Sequence, residues 1–587
     1  MPRRAMPPSR SRAATGCRSA GSTTWPPRCA EPEHRPGAHR RRSGSCLTAQ
    51  MAKGPAATGR GALVRSSAMV AVGTALSRLT GLLRIAALLW ALDQTRLTDV
   101  FNLANTMPNL VYELLLGGIL SATLVPLFTE RLDDDDGGTS AIVSTVAVAL
   151  VVVTVLGVVV APWVMGVYAD GIQDPRPGEV EAYREVGTTL LRFLMPQVLF
   201  YGLVTVVTAL LHARRRFAAP AYAPVLNNVL VSALLFALPT IVGRSVRGEG
   251  AVVDAQGDTT LLVVLGLGAT AGVAAMALAM VPSVVRAGVS LRFSRNWRHP
   301  AVRQMVRLSG WTLGYVAANQ VALYVVYFLA NARDAGDLTA YTVAFTFFQL
   351  PHGLFAVSLM TTFMPELTVA AQSGDHRAFR ERFTLGLRLM ALVILPASAG
   401  YVALAQPIVG LLPIRGASIE TTSSVLAAFA VGLFGFSVYL YALRGFYARK
   451  DTRTPFFLNV AENGANIALA LPLVVVWGVA GLSAAYSAAY LLAAVLAVRS
   501  LGRRVGGLGL RAAAGSLLRM AIAAVGCGAA AWLASRAVAD VGPVLVEAVV
   551  GVVAGAAAYG VLLFVLRVEE VDTVVRMVRG RLRRAQS

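Results

Sequence analysis

SRLTGLLR, residues 77–84, lies within an apolar run, 63–92, that is long enough to cross a lipid bilayer and yet carries Arg78 and Arg84. An arginine at membrane depth costs from about 2.5 to over ~10 kcal/mol, depending on the reference, so such residues normally face a bundle interior or a wet cavity. Both arginines are therefore predicted to be functional. Because they are separated by about 120° around an ideal helix, they share one cavity only if it is broad or if Gly81 bends the helix.

The next apolar run, 99–128, is unusually polar for a membrane span. Its Pro108 and the glycine pair 117–118 predict a kinked or broken helix, which is tolerated where the freed backbone lines a cavity. If the chain turns near residues 92–96, Arg78 lies about 20 Å below the turn, Glu113 reaches a similar depth, and Arg84 lies at roughly 12 Å. The candidate substrate-binding residues are Arg78, Arg84, Asp99, Asn109 and Glu113, with Asn102 and Asn105 on the same run.

A structural alternative to substrate binding stays open for these charges. Arg78 and Glu113 are predicted to reach the same depth, so they could form a buried ion pair that only holds two helices together. In that interpretation Arg84 extends its long side chain toward the membrane surface, as arginines near helix ends often do.

Composition identifies the broad class. The chain has 587 residues, 56% hydrophobic and 14% charged, with a mean hydropathy of +0.62, which excludes an ordinary soluble domain. A net charge of +22 would suggest a nucleic-acid partner in a soluble protein. Here the basic residues lie in short loops between apolar runs, which is typical of membrane topology and of contact with anionic lipids. We therefore predict no nucleic-acid partner.

Catalytic and metal-binding signatures are missing from the sequence. Cys17, Cys29 and Cys46 lie in the N-terminal tail and Cys527 in an apolar run, a spacing that fits neither a disulfide framework nor a zinc site. No Walker loop, nucleophile elbow or paired-carboxylate signature is present. The sequence thus predicts a protein that is not an enzyme, with no catalytic residue, no metal and no cofactor.

The predicted fold class is an all-α polytopic membrane protein with about fourteen transmembrane helices. The expected architecture is two six-helix lobes related by pseudo-two-fold symmetry, followed by two C-terminal helices. The predicted spans are 63–92, 99–128, 140–168, 186–213, 219–242, 260–285, 304–330, 338–365, 383–412, 421–445, 455–477, 479–498, 512–536 and 543–566.

The domain organisation follows from these spans. Residues 1–60 are predicted to be a disordered basic N-terminal tail, or a mis-assigned start upstream of Met51. The N-lobe is predicted to cover 61–286, the C-lobe 287–500 and the added helix pair 501–567, with a basic cytoplasmic tail at 568–587.

An internal repeat supports the two lobes. The junction after the fourth span and the junction after the tenth both fit A-R-[RK]-x4-P-x7-N, from Ala213 to Asn228 and from Ala448 to Asn463, an offset of 235 residues. Pro108 and Pro351 are displaced by a similar 243 residues. Since the offset spans six helices, the two halves are expected to share one orientation, as parallel transporter repeats do.

Loop charge predicts the topology. Alternate loops are rich in basic residues, such as Arg214–Arg216 after the fourth span and Arg499, Arg503 and Arg504 after the twelfth, whereas the intervening loops hold few. This alternation predicts an even number of spans with both termini in the cytoplasm. The acidic loop ERLDDDD, 130–136, is an exception, but acidic residues have little weight in this rule.

A further polar cluster suggests a cation site. Asn459, Glu462, Asn463 and Asn466 share one helical face of the eleventh span, and Asn319 and Gln320 lie in the seventh. Their oxygens would suit Na⁺ or, at the carboxylate, a proton. The alternative is that the amides hydrogen-bond between helices and hold them together. The candidate cation site is Asn319, Gln320, Asn459, Glu462 and Asn463.

Together, these motifs resemble the lipid II flippase family, MurJ or MviN, of the MOP superfamily. The resemblance covers nearly everything after residue 60, including SRLTGLLR, TDVFNLANTMPNLVYELL at 98–115, LVPLF at 124–128, RFAAPAYAPVLNN at 216–228, QLPHGLFAVSLMTTFMPELT at 349–368 and FYARKDTRTP at 446–455. It implies fourteen helices, two lobes and a central cationic cavity that opens alternately to each membrane face. It also implies that Arg78, Arg84 and Asp99 are needed for activity.

The chain departs from this family pattern at several positions. Tyr112 and Thr346 stand where members carry cavity arginines, Gly117 stands where they have a glutamate, and Ile85 stands where an aspartate is common. The family's arginine cluster is therefore depleted here, so its full binding site does not transfer directly.

The resemblance implies a multi-pass flippase of the bacterial cytoplasmic membrane that moves undecaprenyl-diphosphate-linked peptidoglycan precursor, lipid II, to the outer leaflet. Na⁺, H⁺ or the membrane potential would drive the cycle, and anionic lipids and cell-wall synthesis and division proteins are further partners. Three alternatives remain: another lipid-linked glycan as substrate, a cation-coupled drug exporter, or a non-transporting scaffold for wall synthesis. A cationic-drug site would favour acidic residues over arginines in the first span.

Overall fold

A computed structural model describes residues 60–113, 124, 128, 137–214, 216–288, 294–540 and 542–571. The predicted disordered N-terminal tail, Gly117, the acidic loop 130–136, the tail beyond residue 571 and the side chain of Tyr112 lie outside the described residues. Within the described part, the regular structure is entirely helical. The predicted all-α fold class is therefore confirmed.

Fourteen long helical segments follow one another in the described part of the chain. They are α1 (Arg60–Leu92), α2 (Arg96–Glu113), α3 (Gly138–Asp170), α4 (Glu179–Ala213), α5 (Ala218–Val242), α6 (Thr259–Val285), α7 (Pro300–Asn331), α8 (Asp337–Gln372), α9 (His376–Val409), α10 (Ala417–Ala448), α11 (453–477), α12 (479–504), α13 (Leu510–Val538) and α14 (Val544–Val565). Each predicted span falls on one of these helices.

Eleven helices of the described chain are long and apolar enough to cross a membrane, judged by length and composition. That set counts α11 and α12 as one continuous helix and does not include α2 or α7. These last two helices bring asparagine, glutamine and glutamate side chains to the centre of the molecule.

Gly478 separates α11 from α12. Its backbone angles, φ 58° and ψ −144°, lie in a region that is essentially restricted to glycine. The predicted boundary between the eleventh and twelfth spans at this residue is therefore confirmed.

Other breaks occur inside α8 and α4. In α8, a π-helical turn at His352–Ala356 follows Pro351 directly, and α4 is interrupted by a turn at Met195 and Pro196. In contrast, the helical conformation of α2 continues through Pro108 to Glu113. The kink or break predicted from Pro108 and the glycine pair 117–118 stays a prediction, because the glycine pair lies outside the described residues.

The two repeated junctions have the same backbone conformation. Helix α4 is followed by Arg214 (φ −86°, ψ 11°) and α10 by Arg449 (φ −93°, ψ 9°). The residues that precede the next helices, Phe217 (φ −100°, ψ −16°) and Thr452 (φ −101°, ψ −17°), also match. The sequence repeat is thus a structural repeat at these two junctions.

The asparagine at the end of the repeated motif makes an equivalent contact in each half. Asn228 in α5 donates its side-chain amide to the carbonyl of Ser77 in α1, at 3.1 Å. Asn463 in α11 donates to the side-chain oxygen of Asn319 in α7, at 2.9 Å. Helices five and one in the first half are therefore joined as eleven and seven are in the second.

Candidate functional site

A cavity of about 550 Å³ lies between the two repeats. Helices α1, α2, α4, α5 and α6 supply one side of its wall, and α7, α8, α11 and α12 supply the other. This volume falls in the range of sites that bind small molecules or headgroups. Ligand contact with both repeats is the geometry that lets binding depend on their relative position.

Arg84 lines this cavity. The side chains of Ile85 and Leu88 line the same wall. Arg84 also lies close enough to Tyr201 in α4 for its charge to act on that phenol. The alternative in which Arg84 reaches out to the membrane surface is therefore wrong.

Arg78 has a different environment from Arg84. It is not among the residues that line the cavity, and its guanidinium packs on Gly353 in the π-helical turn of α8. A β-carbon added at Gly353 would lie 2.9 Å from Nη2 of Arg78. The neighbouring His352 is hydrogen-bonded through Nδ1 to Ser437 at 3.0 Å. Arg78 thus lies where the first helix of one repeat meets the second helix of the other.

Glu113 does not pair with Arg78. Its Oε2 accepts a hydrogen bond from Gln320 Nε2 in α7 at 3.5 Å, and the described ion pairs include none to Glu113. The predicted buried pair of Arg78 and Glu113 is therefore wrong. The depth inferred from helical rise did not determine the partners, because Arg78 contacts Gly353 and Glu113 contacts Gln320.

The asparagines of α2 form a carboxamide wall. Asn102, Asn105 and Asn109 all line the cavity. Asn102 donates to Oγ1 of Thr339 in α8 at 3.2 Å, and Asn109 donates to the carbonyl of Asn105 at 2.8 Å. Substrate binding by Asn109 stays a prediction, which its position in the wall permits.

The charge of the wall is mixed. Among the described residues that line the cavity, Arg84 is the single basic one, and Glu113 and Glu462 are the acidic ones. Thr346, at a position where the family resemblance implied arginine, also lines the cavity and donates a hydrogen bond to the carbonyl of Thr342. Positive charge in the described lining is thus concentrated at Arg84, whereas the family resemblance implied a broadly cationic cavity.

Asp99 lies away from the cavity wall and is fully buried. Its carboxylate accepts hydrogen bonds from the backbone N–H of Gly336 at 2.7 Å, the backbone N–H of Thr339 at 2.8 Å and the hydroxyl of Thr339 at 2.7 Å. The start of α8 has no side-chain cap of its own. Asp99 supplies that cap from α2, so this geometry favours a structural link between the repeats over substrate contact.

Arg96 makes a second link at the same place. Its guanidinium donates to Glu179 Oε1 in α4 at 2.9 Å, to the carbonyl of Asn331 at 2.8 Å and to that of Arg333 at 2.9 Å. Arginine is suited to the carbonyls at a helix C-terminus because it carries positive charge and several donors. We call the set Arg96, Asp99, Glu179, Asn331, Arg333, Gly336 and Thr339 the latch.

The candidate cation site is largely occupied by its own hydrogen bonds. Asn319 Oδ1 accepts from Asn459 Nδ2 at 2.8 Å and from Asn463 Nδ2 at 2.9 Å. This favours the alternative in which the amides join α7 to α11. Glu462, which is 2% exposed, borders the cavity, and its Oε2 has no hydrogen-bond partner among the described residues. The described chain holds no cluster of three His, Cys, Asp or Glu side chains fit for a metal ion.

Several lining residues were not predicted. Gln197 in α4, Asn227 in α5 and Gln349 in α8 bring polar side chains into the cavity, and Tyr486 and Tyr490 in α12 add aromatic rings. The signal that would have found the first three is the same as for α2, namely a carboxamide within an apolar helix. The tyrosines carry no comparable signal, since aromatic residues are frequent in any core.

Comparison with known proteins decides the family. The sequence pattern of the family described as "Lipid II flippase MurJ" matches residues 90–549. The chain belongs to the MurJ family. MurJ proteins are flippases and hence transporters, as the sequence predicts, and the apolar helices fit a multi-pass protein of a bacterial inner membrane.

Curated relatives agree with this assignment. The chain is 26% identical over 450 residues to the probable lipid II flippase MurJ of Vibrio cholerae serotype O1, covering 75% of this chain and 83% of the relative. It is 28% identical over 403 residues to the lipid II flippase MurJ of Burkholderia cenocepacia, covering 67% and 75% respectively.

Solved structures show the same fold. A structure described as lipid II flippase MurJ in an inward closed conformation matches with a TM-score of 0.68 and 18% identity, over 85% of this chain and 99% of that one. An inward-facing MATE multidrug transporter of the MOP superfamily matches with a TM-score of 0.58 and 12% identity, over 74% and 99%. These matches show that the chain has the same fold as both proteins.

Proposed function

We propose that this chain moves lipid II, an undecaprenyl-diphosphate-linked peptidoglycan precursor, from the cytoplasmic to the outer leaflet by alternating access. The observation that carries the proposal is the position of Arg84, which faces a cavity walled by both repeats of a MurJ-family chain. An arginine in that position has the chemistry that a diphosphate headgroup requires.

Arg84 is proposed to bind the diphosphate. A guanidinium donates paired, charge-assisted hydrogen bonds to phosphate oxygens, which an ammonium cannot do in the same geometry. A phosphate that leaves water for hydrocarbon without such partners would meet a prohibitive desolvation cost. Binding at Arg84 offsets the desolvation cost of the diphosphate. The carboxamides of α2 would contact uncharged parts of the headgroup.

Arg78 is proposed to contact the same diphosphate from the seam between the repeats. Its guanidinium packs on Gly353, where α1 meets α8. The prenyl chain must stay in the bilayer while the headgroup enters the cavity, so the diphosphate that joins them has to cross a seam. A cation at this seam would meet the diphosphate at the point where the lipid tail leaves.

The latch is proposed to close the outer end of the cavity. With the topology predicted from loop charge, the α1–α2 turn and the α7–α8 loop face outward. Arg96 and Asp99 in α2 hold the end of α7 and the start of α8, so separation of the repeats at this end must break both sets of hydrogen bonds. Outward opening would therefore follow the loss of the latch.

Glu462 is the residue that we propose for coupling to a cation or a proton. The amides around it are hydrogen-bonded to one another, whereas its Oε2 has no partner among the described residues. An enclosed carboxylate gains most from Na⁺ or a proton, which are small enough to reach it. The membrane potential supplies about 2.3 kcal/mol per charge per 100 mV to any net charge that moves.

The test combines growth and reconstitution. Arg84→Ala should abolish complementation of a flippase-depleted bacterial strain, with normal membrane insertion, and should abolish translocation of labelled lipid II in vesicles. Arg536→Ala, at the surface end of α13, is the matched control and should complement. Normal growth with Arg84→Ala would refute the proposal, and growth without translocation in vesicles would support a scaffold instead.

A further inference from the structure

Glu113 is a carboxylate that opens into the cavity, and the ion pairs among the described residues include none to it. Its side chain is exposed on the wall that α2 contributes, and its contact in the described chain is the long hydrogen bond from Gln320 Nε2 at 3.5 Å. The other end of the same amide, Gln320 Oε1, is buried and has no hydrogen-bond partner among the described residues. A carboxylate from one repeat and a side-chain amide from the other thus meet at one point of the wall.

Glu462 has the opposite accessibility. It is 2% exposed and its free oxygen is enclosed, so a headgroup substituent cannot reach it without rearrangement of α11. Glu113 is reachable from the cavity in the conformation described. The two acidic residues of the wall are therefore suited to different ligands, a small ion at Glu462 and a larger group at Glu113.

Charge balance points to a cationic group at Glu113. In the proposed function, Arg78 and Arg84 together match the charge of the diphosphate, which leaves the carboxylate of Glu113 uncompensated in a partly desolvated cavity. An uncompensated buried charge is costly, whereas a hydrogen bond to a charged partner contributes more than one between neutral groups. A primary ammonium carries three N–H donors and no acceptor, which suits the two oxygens of the Glu113 carboxylate, and rotation of the Gln320 side-chain amide would present its oxygen as a further acceptor.

We propose that Glu113 and Gln320 form a subsite for a primary ammonium group on the peptide part of the transported headgroup. This inference rests on the proposed lipid-linked substrate. It makes the preferred headgroup dipolar, with the diphosphate at the arginines and the amine at α2 and α7. Because Glu113 and Gln320 belong to different repeats, the bound amine also bridges the two halves, which change their relative position during transport.

The experiment compares two lipid-linked diphosphate substrates that differ at one amine. The peptide carries a free side-chain amine in one and the N-acetylated amine in the other, and translocation by the purified full-length protein is followed in vesicles. The wild-type protein should favour the free amine by about tenfold, corresponding to about 1.4 kcal/mol. Glu113→Gln should lower transport of the free-amine substrate to the level of the acetylated one, and Glu113→Asp should keep the preference.

The outcomes separate this inference from the proposed function. Transport of neither substrate by the wild-type protein would refute the function itself. Equal transport of both, with or without dependence on Na⁺, would overturn the amine subsite and leave the function standing. A preference that persists in Glu113→Gln would also overturn it. Gln320→Leu supplies a second variant and should reduce the preference by a smaller factor, and the wild-type comparison does not depend on the folding of any variant.

Discussion

The carboxylate of Asp99 in α2 accepts the backbone N–H of Thr339, 2.8 Å away at the start of α8. One repeat thereby caps the first turn of a helix in the other. An acceptor at this position satisfies donors that a helix N-terminus leaves free and interacts favourably with the helix dipole. The cap of α8 is therefore supplied by a residue of another helix, so the capping of α8 depends on how the two repeats are arranged.

Removal of this cap should favour the outward-open state. Asp99→Ala leaves the N–H groups of Gly336 and Thr339 without their acceptor, at about 1–3 kcal/mol for each buried donor. The reporter is a cysteine in place of Asn105, which lines the cavity, in a protein whose native cysteines are replaced by serine. We expect an impermeant maleimide added outside the cells to label this cysteine roughly tenfold faster in the Asp99→Ala variant than in the parent protein. Asp93→Asn, which loosens only an exposed pair with Arg247, should leave labelling unchanged. Equal labelling of the two variants would contradict the proposed gate.

Displacement of Arg78 should impair transport without loss of folding. In Gly353→Ala the new methyl group would lie 2.9 Å from the guanidinium, which is the mobile end of a side chain and can move away. We expect a several-fold drop in lipid II translocation with a melting temperature close to that of the parent protein. Gly400→Ala in α9 meets no atom within 4 Å and is the matched control. Full activity in Gly353→Ala would argue against a role for Arg78 at the seam.

Variants of Asn319 and Glu462 should distinguish adhesion between α7 and α11 from coupling of transport to a cation gradient. Asn319→Ala removes the acceptor of two side-chain hydrogen bonds between α7 and α11, each worth about 0.6–2 kcal/mol in a membrane. It should lower the melting temperature in detergent while transport keeps its dependence on the imposed gradient. Glu462→Gln should do the reverse, so that the melting temperature holds and dependence on a Na⁺ or proton gradient is lost. If Glu462→Gln still responds to both gradients, the coupling role is refuted.

Gly478 should be intolerant of a side chain. Gly478→Ala forces φ 58° and ψ −144° on a residue with a β-carbon, at about 1–3 kcal/mol. Gly464→Ala, in the helical interior of α11 with no atom within 4 Å, should instead stabilise by about 0.5–1 kcal/mol. Thermal unfolding of the two variants measures the difference. A rise in melting temperature for Gly478→Ala would mean that the break can straighten at little cost.

Helix positions were predictable because apolar runs and backbone breakers act locally. The span boundary at Gly478 and the two junctions of the repeat follow from residues that are adjacent in sequence. The turn assumed near 92–96 also agrees with the structure, where Asp93–Thr95 separates α1 from α2. These features depend on hydropathy and backbone conformation, which one chain segment determines by itself.

The partners of the charged residues were not predictable in the same way. Depth along the membrane suggested that Arg78 meets Glu113, but rotation about each helix axis sends one to Gly353 and the other to Gln320. Asp99 was expected at the substrate, yet it contacts residues more than 230 positions away. Such contacts depend on how the repeats pack, and no local pattern in α2 specifies them.

On the α7–α8 side, the latch consists largely of peptide groups, namely the carbonyls of Asn331 and Arg333 and the amide of Gly336. Every amino acid possesses a carbonyl, so substitutions at 333 can accumulate during divergence without loss of this acceptor. Position 331 is more restricted, because the buried side chain of Asn331 accepts a hydrogen bond from Tyr183 and donates one to the carbonyl of Tyr168. Gly336 is restricted as well, because its φ of 92° excludes most other residues. The positions of this loop therefore differ in how freely they can be substituted. We expect substitutions to be tolerated least at Arg96 and Asp99, the two charged residues of α2 that bind the loop.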